Sequence, residues 1–285
     1  MLNRFDHVTI AVDDIAGAIA AYTRLLGRAP AWRGGHPELG TRCALFGLAN
    51  GMVELVGALP GAPEAEGLRG WLRERGPGLQ ALAFGTPDAD SCSSALRERG
   101  LRATPPQPGE PEAEDGTRRS YRSVELSPRG ARGLSLLAVE RPDLPQLLAA
   151  GPADLAAADA LDHVLIRSAD PEAAIALYGS GLGLRLALDR VFGSTRMLFF
   201  RIGGVTIEIV QDPKLGAHDV LWGVAYRVGD IQAAFARLQA SGFELDPPRP
   251  GRKPGSEVFT VRAGTCGVPT LILRDPARER RDTAL

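Results

Sequence analysis

Leu161-Asp162-His163-Val164-Leu165-Ile166 restates Phe5-Asp6-His7-Val8-Thr9-Ile10, and the reading of the whole fold follows from this pair of stretches. From His7 to His163 is 156 positions, and at that offset the identities continue through Asp14/Asp170, Ala18/Ala174, Tyr22/Tyr178, Leu26/Leu182 and Gly27/Gly183. Further along, Val53-Glu54-Leu55-Val56 corresponds to Ile207-Glu208-Ile209-Val210, an offset of 208 minus 54, or 154. The chain reads as an internal duplication in which each copy carries a histidine on its first strand and a glutamate on its fourth.

Residues 5–12 have strand character, and period-2 geometry puts Val8, Ile10 and Val12 on one face and Phe5, His7, Thr9 and Ala11 on the other. Asp13-Asp14 offers an N-cap to a helix whose apolar positions Ile15, Ala18, Ile19, Tyr22, Leu25 and Leu26 recur at helical spacing until Gly27 closes it. Tyr22 and Tyr178, at apolar helical positions, are expected in the core. A looser strand is expected near 29–33, with Gly34-Gly35-His36-Pro37 as a turn that leaves His36 exposed. Strands 41–48 and 52–59 follow, joined at Asn50-Gly51. On the second of these Glu54 shares a face with Met52 and Val56, opposite Val53 and Leu55. A carboxylate in so apolar a strand must be solvated, paired or bound to metal.

The same order of elements returns three more times. Unit 2 opens at 79–84, with a helix over 89–99, strands at 121–126 and 134–139, and a polar, proline-rich loop at 105–116 expected as a mobile cover. Unit 3 repeats unit 1. Unit 4 repeats unit 2, with Trp222-Gly223-Val224-Ala225-Tyr226-Arg227 matching Gln80 to Gly85 at an offset of 142. The expected division is an N-terminal domain over 1–142, a linker over 143–159, a C-terminal domain over 160–275 and a charged tail over 276–285.

In 285 residues, 44% apolar and 24% charged, two ordinary soluble domains each have enough chain to bury a core. A net charge of −1 supplies no footprint for nucleic acid or an anionic membrane, which leaves a small-molecule substrate or ligand as the expected partner. Cys43, Cys92 and Cys266 are odd in number and lack CxxC spacing, as reduced cytoplasmic thiols would be. No signal-peptide pattern or membrane-spanning apolar run is read, so the expected location is cytoplasmic. Gly-rich phosphate loops, a Gly-x-Ser-x-Gly elbow and a Cys/His dyad are all missing, which argues against nucleotide-dependent and serine-nucleophile chemistry.

Four consecutive β-α-β-β-β units opening on Asp-His-Val resemble the vicinal oxygen chelate superfamily, the glyoxalase, bleomycin resistance protein and extradiol dioxygenase group. The likeness covers residues 5–140 and 161–273. It implies an α+β fold of four βαβββ units forming two curved, partly open mixed sheets with helices outside. It also implies a divalent metal, Zn, Mn, Ni or Fe, held in the concavity by first- and fourth-strand residues, and isomerase, lyase or dioxygenase-type chemistry on a small oxygen-rich or aromatic metabolite. Carried over residue by residue, the metal-ligand positions are His7, Glu54, His163 and Glu208. Units 2 and 4 depart from the pattern, with Ala81, Leu137, Gly223 and Leu271 where ligands would stand. The extradiol iron triad needs ligands where Gly223 and Leu271 are found, so that version is weaker.

Two pairings of the units remain open. Tandem pairing, 1 with 2 and 3 with 4, leaves one His and one Glu in each hollow, whereas pairing unit 1 with unit 3 would bring all four around one ion. Within this reading His163 and Glu208 are the expected catalytic pair, with Arg167, Arg227, Arg252 and Lys253 as substrate-binding cations. Against these stand plain alternatives: His-Glu pairing without metal, surface ion pairs for Arg167 and Arg227, a solvated turn for Arg252 and Lys253. A metal-free binding or sequestering module of the same superfamily is the rival function, and the oligomeric state, a homodimer included, is open.

Overall fold

The computed structural model describes residues 1–148 and 154–276. The N-terminal sheet comprises β1 (Arg4–Val12), β2 (Trp32–His36), β3 (Thr41–Leu48), β4 (Gly51–Ala58), β5 (Gly78–Gly85), β6 (Gln107–Gly109), β7 (Glu112–Ala113), β8 (Tyr121–Leu126) and β9 (Ser135–Glu140). These lie in the order β6-β8-β9-β5-β1-β4-β3-β2-β7. The C-terminal sheet comprises β10 (Ala158–Ser168), β11 (Arg185–Phe192), β12 (Thr195–Ile202), β13 (Val205–Gln211), β14 (Val220–Val228), β15 (Arg249–Pro250), β16 (Glu257–Val261) and β17 (Thr270–Arg274), in the order β11-β12-β13-β10-β14-β17-β16-β15. Both sheets are mixed and curled, and the fold is α+β as expected.

At the centre of each sheet two unit-opening strands run antiparallel, β1 against β5 and β10 against β14. The units therefore pair in tandem. The alternative that would gather His7, Glu54, His163 and Glu208 around one ion is not formed, because the two histidines sit on strands of different sheets.

Alternation along β1 is broken by a β-bulge between Phe5 and His7. Phe5 was expected on the face of His7, yet it is 1% exposed in the core and stacks edge-on against Phe84 with ring centroids 6.1 Å apart. The extra residue re-aims the strand, so that Phe5 joins Val8 and Ile10 in the core while His7 turns to the opposite, hollow side. The same bulge recurs between Leu161 and His163. In both copies the bulged residue is the aspartate, and its carboxylate reaches Nδ1 of the following histidine.

The helix that follows the first strand of each unit packs on the core side of its sheet, away from the hollows. Asp14 caps the helix Ile15–Leu26 by accepting from the N–H groups of Ala16 and Gly17, and Gly27 ends it at φ 69°. Asp88, Asp170 and Asp230 cap the corresponding helices of the other units. In unit 3 the helix from Pro171 tightens only briefly as α and continues as a π-helix over Ile175–Gly181. One apolar cluster runs through both halves, from Phe5 and Tyr22 to Tyr178 and Phe259. Polar contacts lock the halves across it: Tyr22 donates to the Thr265 carbonyl at 3.1 Å, and Arg132 grips buried Asp219 with two hydrogen bonds. Asn50, in the β3–β4 turn, pairs with both backbone groups of Leu161.

Within the segment expected as a linker, Leu144–Leu147 forms a short helix packed on Leu45 and Met52, and β10 already begins at Ala158. Residues 149–153 and the charged tail from 277, including Arg278 to Arg281, lie outside the described residues.

Candidate functional site

His7 and Thr9 on β1 face the same hollow as Glu54 on β4, Cys43 on β3 and His36 on β2. The hollow is a cavity of about 390 Å³. Ala81 and Leu137, the positions of unit 2 that lack ligands, also line it. Two added segments enclose it. Glu64, Ala65, Gly67 and Leu68, from a segment between β4 and β5 that includes the helix Glu66–Arg75, form part of its wall, and the proline-rich segment reaches it at Pro111. That segment pairs β6 with β8 at one edge of the sheet and, three residues on, β7 with β2 at the other. The expected cover is thus a strap hydrogen-bonded at both edges. The glycines of β2 allow it to seat: a Cβ at Gly34 would stand 2.2 Å from the Glu112 carbonyl oxygen and 2.4 Å from the Trp32 ring.

The polar groups of this hollow are organised around Glu54. His7 Nε2 lies 3.3 Å from Glu54 Oε2 while its Nδ1 lies 2.7 Å from Asp6, and the Thr9 hydroxyl donates to the same Glu54 oxygen at 2.9 Å. Burial works to lower the His7 pKa, but the hydrogen bonds that its ring donates to Asp6 and Glu54 prevail, with the charges of both carboxylates assisting, and hold it at about 9. For Glu54, burial works upward and is overcome by His7, with His36 and Thr9 assisting, which takes it down to about 2. The pair is a buried imidazolium–carboxylate contact in the metal-free chain.

His36 corrects the sequence reading. It was expected exposed in a turn, but Trp32–His36 is a strand, and His36 is 9% exposed at its end. Its Nδ1 contacts Glu38 at 3.1 Å and its ring meets Tyr121 edge-on. One ligand atom each from His36, Cys43 and Glu54 lies within 4.8 Å of the other two. Burial, reinforced by the negative charge of Glu54, pushes the Cys43 thiol well up, so it is an S–H in the metal-free chain. Nothing in the sequence spacing joined these three; the signal was the β2–β3 ladder, in which Gly34 faces Cys43 and His36 faces Thr41. Two buried donors on the wall, Trp32 Nε1 and Arg141 Nε, make no hydrogen bond. Arg141 lies over the Tyr121 ring and 3.4 Å from Asp6.

The C-terminal hollow is wider, about 520 Å³, and differently lined. Glu208 lies on its wall, with His163 Nε2 3.9 Å from Glu208 Oε2, beyond hydrogen-bonding distance, and Nδ1 3.0 Å from Asp162. The offset that relates Glu54 to Glu208 also relates Cys43 to Met197. His36 faces Thr41 across its ladder as Phe192 faces Thr195, and Leu165 stands in the place of Thr9. Oxygen, nitrogen and sulfur donors on the N-terminal side are replaced by apolar groups on this side, with the histidine and glutamate retained.

The four cations expected to bind substrate part company. Arg167 and Arg252 both line the C-terminal hollow. Arg167 forms an ion pair with Asp212, and Arg252 stacks over Phe192 at 5.7 Å. Lys253 turns to Asp275 at 2.9 Å, and Arg227 is buried against Asp159 beside the seam; neither lines the hollow. Among the described residues no strand pairs with the outer edge of β11, every residue of which is exposed.

Paired β-α-β-β-β units curled around a hollow, with histidine on the first strand and glutamate on the fourth, define a vicinal oxygen chelate protein. Residues 5–160 match the family described as a glyoxalase-like domain, and residues 160–278 match the glyoxalase/bleomycin resistance protein/dioxygenase superfamily. The chain belongs to that superfamily. No curated protein sequence matches it.

Among solved structures it is similar to a variant of 4-hydroxymandelate synthase from Streptomyces coelicolor, at 17% identity over 96% of this chain and 92% of that one, with a TM-score of 0.67. It is also similar to the Mn(II)-bound glyoxalase from Novosphingobium aromaticivorans, at 14% identity over 96% and 82%, TM-score 0.68. A hypothetical protein from Staphylococcus aureus shares 11% identity over 96% and 100%, TM-score 0.65. These likenesses concern the fold. Metal-dependent chemistry is a property found within the superfamily.

Proposed function

We propose that the chain is a cytoplasmic enzyme of two copied halves whose N-terminal hollow carries out metal-assisted proton transfer, of isomerase or lyase type, on a small, oxygen-rich anionic metabolite. The observation that supports this best is the buried His7–Glu54 contact in a strapped cavity, with a second carboxylate behind the imidazole. A divalent ion held through Glu54 would supply Lewis acidity to the substrate's oxygens and stabilise an enolate formed beside it. With the charge of Glu54 drawn to such an ion, the His7 imidazole would lose the partner that keeps it protonated, and, oriented by Asp6, it is the group placed to take and return the carbon-bound proton. Trp32 Nε1, a buried donor on the wall without a hydrogen bond, is one that a substrate oxygen would satisfy. The strap and the insertion keep bulk water from the developing charge. Proton transfer is favoured over ring cleavage because the unit 2 positions that would complete an iron triad in this hollow are Ala81 and Leu137, as they are Gly223 and Leu271 in unit 4.

The sequence favoured His163 and Glu208 for this role. Their wider separation and apolar surroundings support a different use, the binding of an aromatic or apolar anion between Phe192, Trp222 and Met197 with Arg167 and Arg252 at its charged end. The rival function, a binding module, is therefore assigned to the C-terminal hollow alone.

Hydrogen–deuterium exchange tests the proposal. Small 2-oxo and 2-hydroxy acids, incubated with metal-reconstituted protein in D2O and followed by NMR, should incorporate deuterium at the carbon next to the ketone of the oxo acids or at the carbinol carbon of the hydroxy acids, and His7→Gln should abolish it. Exchange that is absent across the panel, or unchanged in His7→Gln, would refute the reaction class.

A further inference from the structure

Resting on the reading that the N-terminal hollow is a metal-dependent site, we propose that its ion is zinc, held by His36, Cys43 and Glu54 instead of by the paired first- and fourth-strand positions that the superfamily pattern implies. The superfamily positions do not suffice. Units 2 and 4 supply Ala81, Leu137, Gly223 and Leu271, and tandem pairing leaves each hollow one histidine and one glutamate. A catalytic zinc takes three protein ligands and one open position. His36 and Cys43, from the adjoining strands β2 and β3, bring the number to three on the Glu54 side of the hollow.

Three observations support this set. Its ligand atoms lie within 4.8 Å of one another, while donors ~2.0–2.3 Å from a shared ion stand ~3.3–3.8 Å apart, so closure needs side-chain movement of about 1 Å. Nδ1 of His36 is engaged by the Glu38 carboxylate, which leaves Nε2 as the ligand nitrogen and supplies the outer carboxylate that orients metal-bound histidines. The three residues are 9%, 3% and, for the Glu54 side chain, 17% exposed, so they are not a chance cluster on the surface. Thiolate with imidazole selects zinc over manganese or magnesium, whose sites are built from oxygen. On binding, the Cys43 S–H proton leaves to solvent, and thiolate plus carboxylate balance the charge of the ion.

His7 meets the set only at Glu54, 3.3 Å away. It is assigned to the open side as the proton-transfer group, not as a ligand. The corresponding C-terminal positions, Phe192 and Met197, cannot complete such a set, so the chain should hold one zinc ion.

The test is metal content after equilibration with zinc and gel filtration, together with the absorption spectrum of Co(II)-substituted protein. The expected result is one zinc per chain in the wild type and in His7→Gln, at least a tenfold loss of affinity in His36→Ala and Cys43→Ser, and an intense near-ultraviolet thiolate-to-cobalt band. The wild-type cobalt spectrum needs no substitution, so a misfolded variant does not blunt the test. Metal bound with no thiolate band, or retained in Cys43→Ser, or lost equally in His7→Gln, overturns the ligand set and leaves the metal-enzyme reading standing. Wild-type protein that takes up no divalent ion overturns both.

Discussion

The two hollows of this chain begin from the same strand pattern and diverge in everything that surrounds it. Each has a histidine with a bulged aspartate on its Nδ1 side and a glutamate on the parallel strand beside it. In the N-terminal copy the neighbours are Thr9, His36 and Cys43, and a strap ties the outer edge of the sheet to the far edge. In the C-terminal copy they are Leu165, Phe192 and Met197, and the outer edge strand β11 is bare. A histidine–glutamate pair is therefore only a scaffold for chemistry. Whether it works as a reaction centre or as part of a ligand wall depends on the second ring of side chains and on what excludes water.

The sharpest way to break this contrast is to remove the two histidines in turn. General acid–base groups contribute about 10²–10⁴-fold, so His7→Gln should lower turnover or exchange by about that factor, while His163→Gln should leave it within about tenfold. Equal losses would erase the distinction between the hollows.

A construction makes the same point in the other direction. Leu165→Thr, Phe192→His and Met197→Cys together install the N-terminal donors on the C-terminal side, and bound zinc should rise from one ion per chain to two. No second ion would mean that the ring of neighbours does not account for the difference.

Closure of the strap is testable apart from metal. Gly34→Val sets a side chain against the Glu112 carbonyl oxygen and the Trp32 ring, and overpacking of this kind costs about 1–3 kcal/mol. Limited proteolysis should then cut within 107–120 at protease levels that leave the wild type intact, giving the N-terminal hollow the openness of its counterpart. A cleavage pattern identical to wild type would contradict the strap.

The smallest effect concerns pH. In the metal-free protein His7 is raised from 6.5 to about 9 and Glu54 lowered from 4.5 to about 2, so their mutual contact contributes fully to stability between pH 4.5 and 6.5. The contribution falls as pH rises through about 9, where folded His7 deprotonates, and as pH drops toward about 2, where folded Glu54 protonates. The difference in thermal midpoint between metal-free wild type and the His7→Gln/Glu54→Gln double variant should therefore be largest in that window and shrink on either side. A flat difference from pH 5 to 10 would show that the pair is not ionised.

Much of this architecture is legible in the sequence, because it rests on local patterning. The Asp-His-Val strands, the aspartate-capped helices and the glutamates set among Val, Ile and Leu each declare a face and a period. The bulge at Asp6 escaped that reading because strict alternation assumes one residue per rung, and Phe5 was assigned to the wrong face. His36 escaped because Gly34-Gly35 and Pro37 read as a turn, whereas the glycines serve the close approach of β7 from a segment 78 positions away, counting from Gly34 to Glu112. Cys43 was dismissed with the other thiols on spacing alone. Its partners are neighbours only through the ladder, and sequence distance does not reveal them.

The central claim is that the reaction centre lies in the strapped N-terminal hollow. Metal content measured side by side in Glu54→Gln and Glu208→Gln tests it most directly. Loss of the ion from the first and full retention in the second is the expected result. Retention in Glu54→Gln with loss from Glu208→Gln would move the centre to the open hollow and contradict the account.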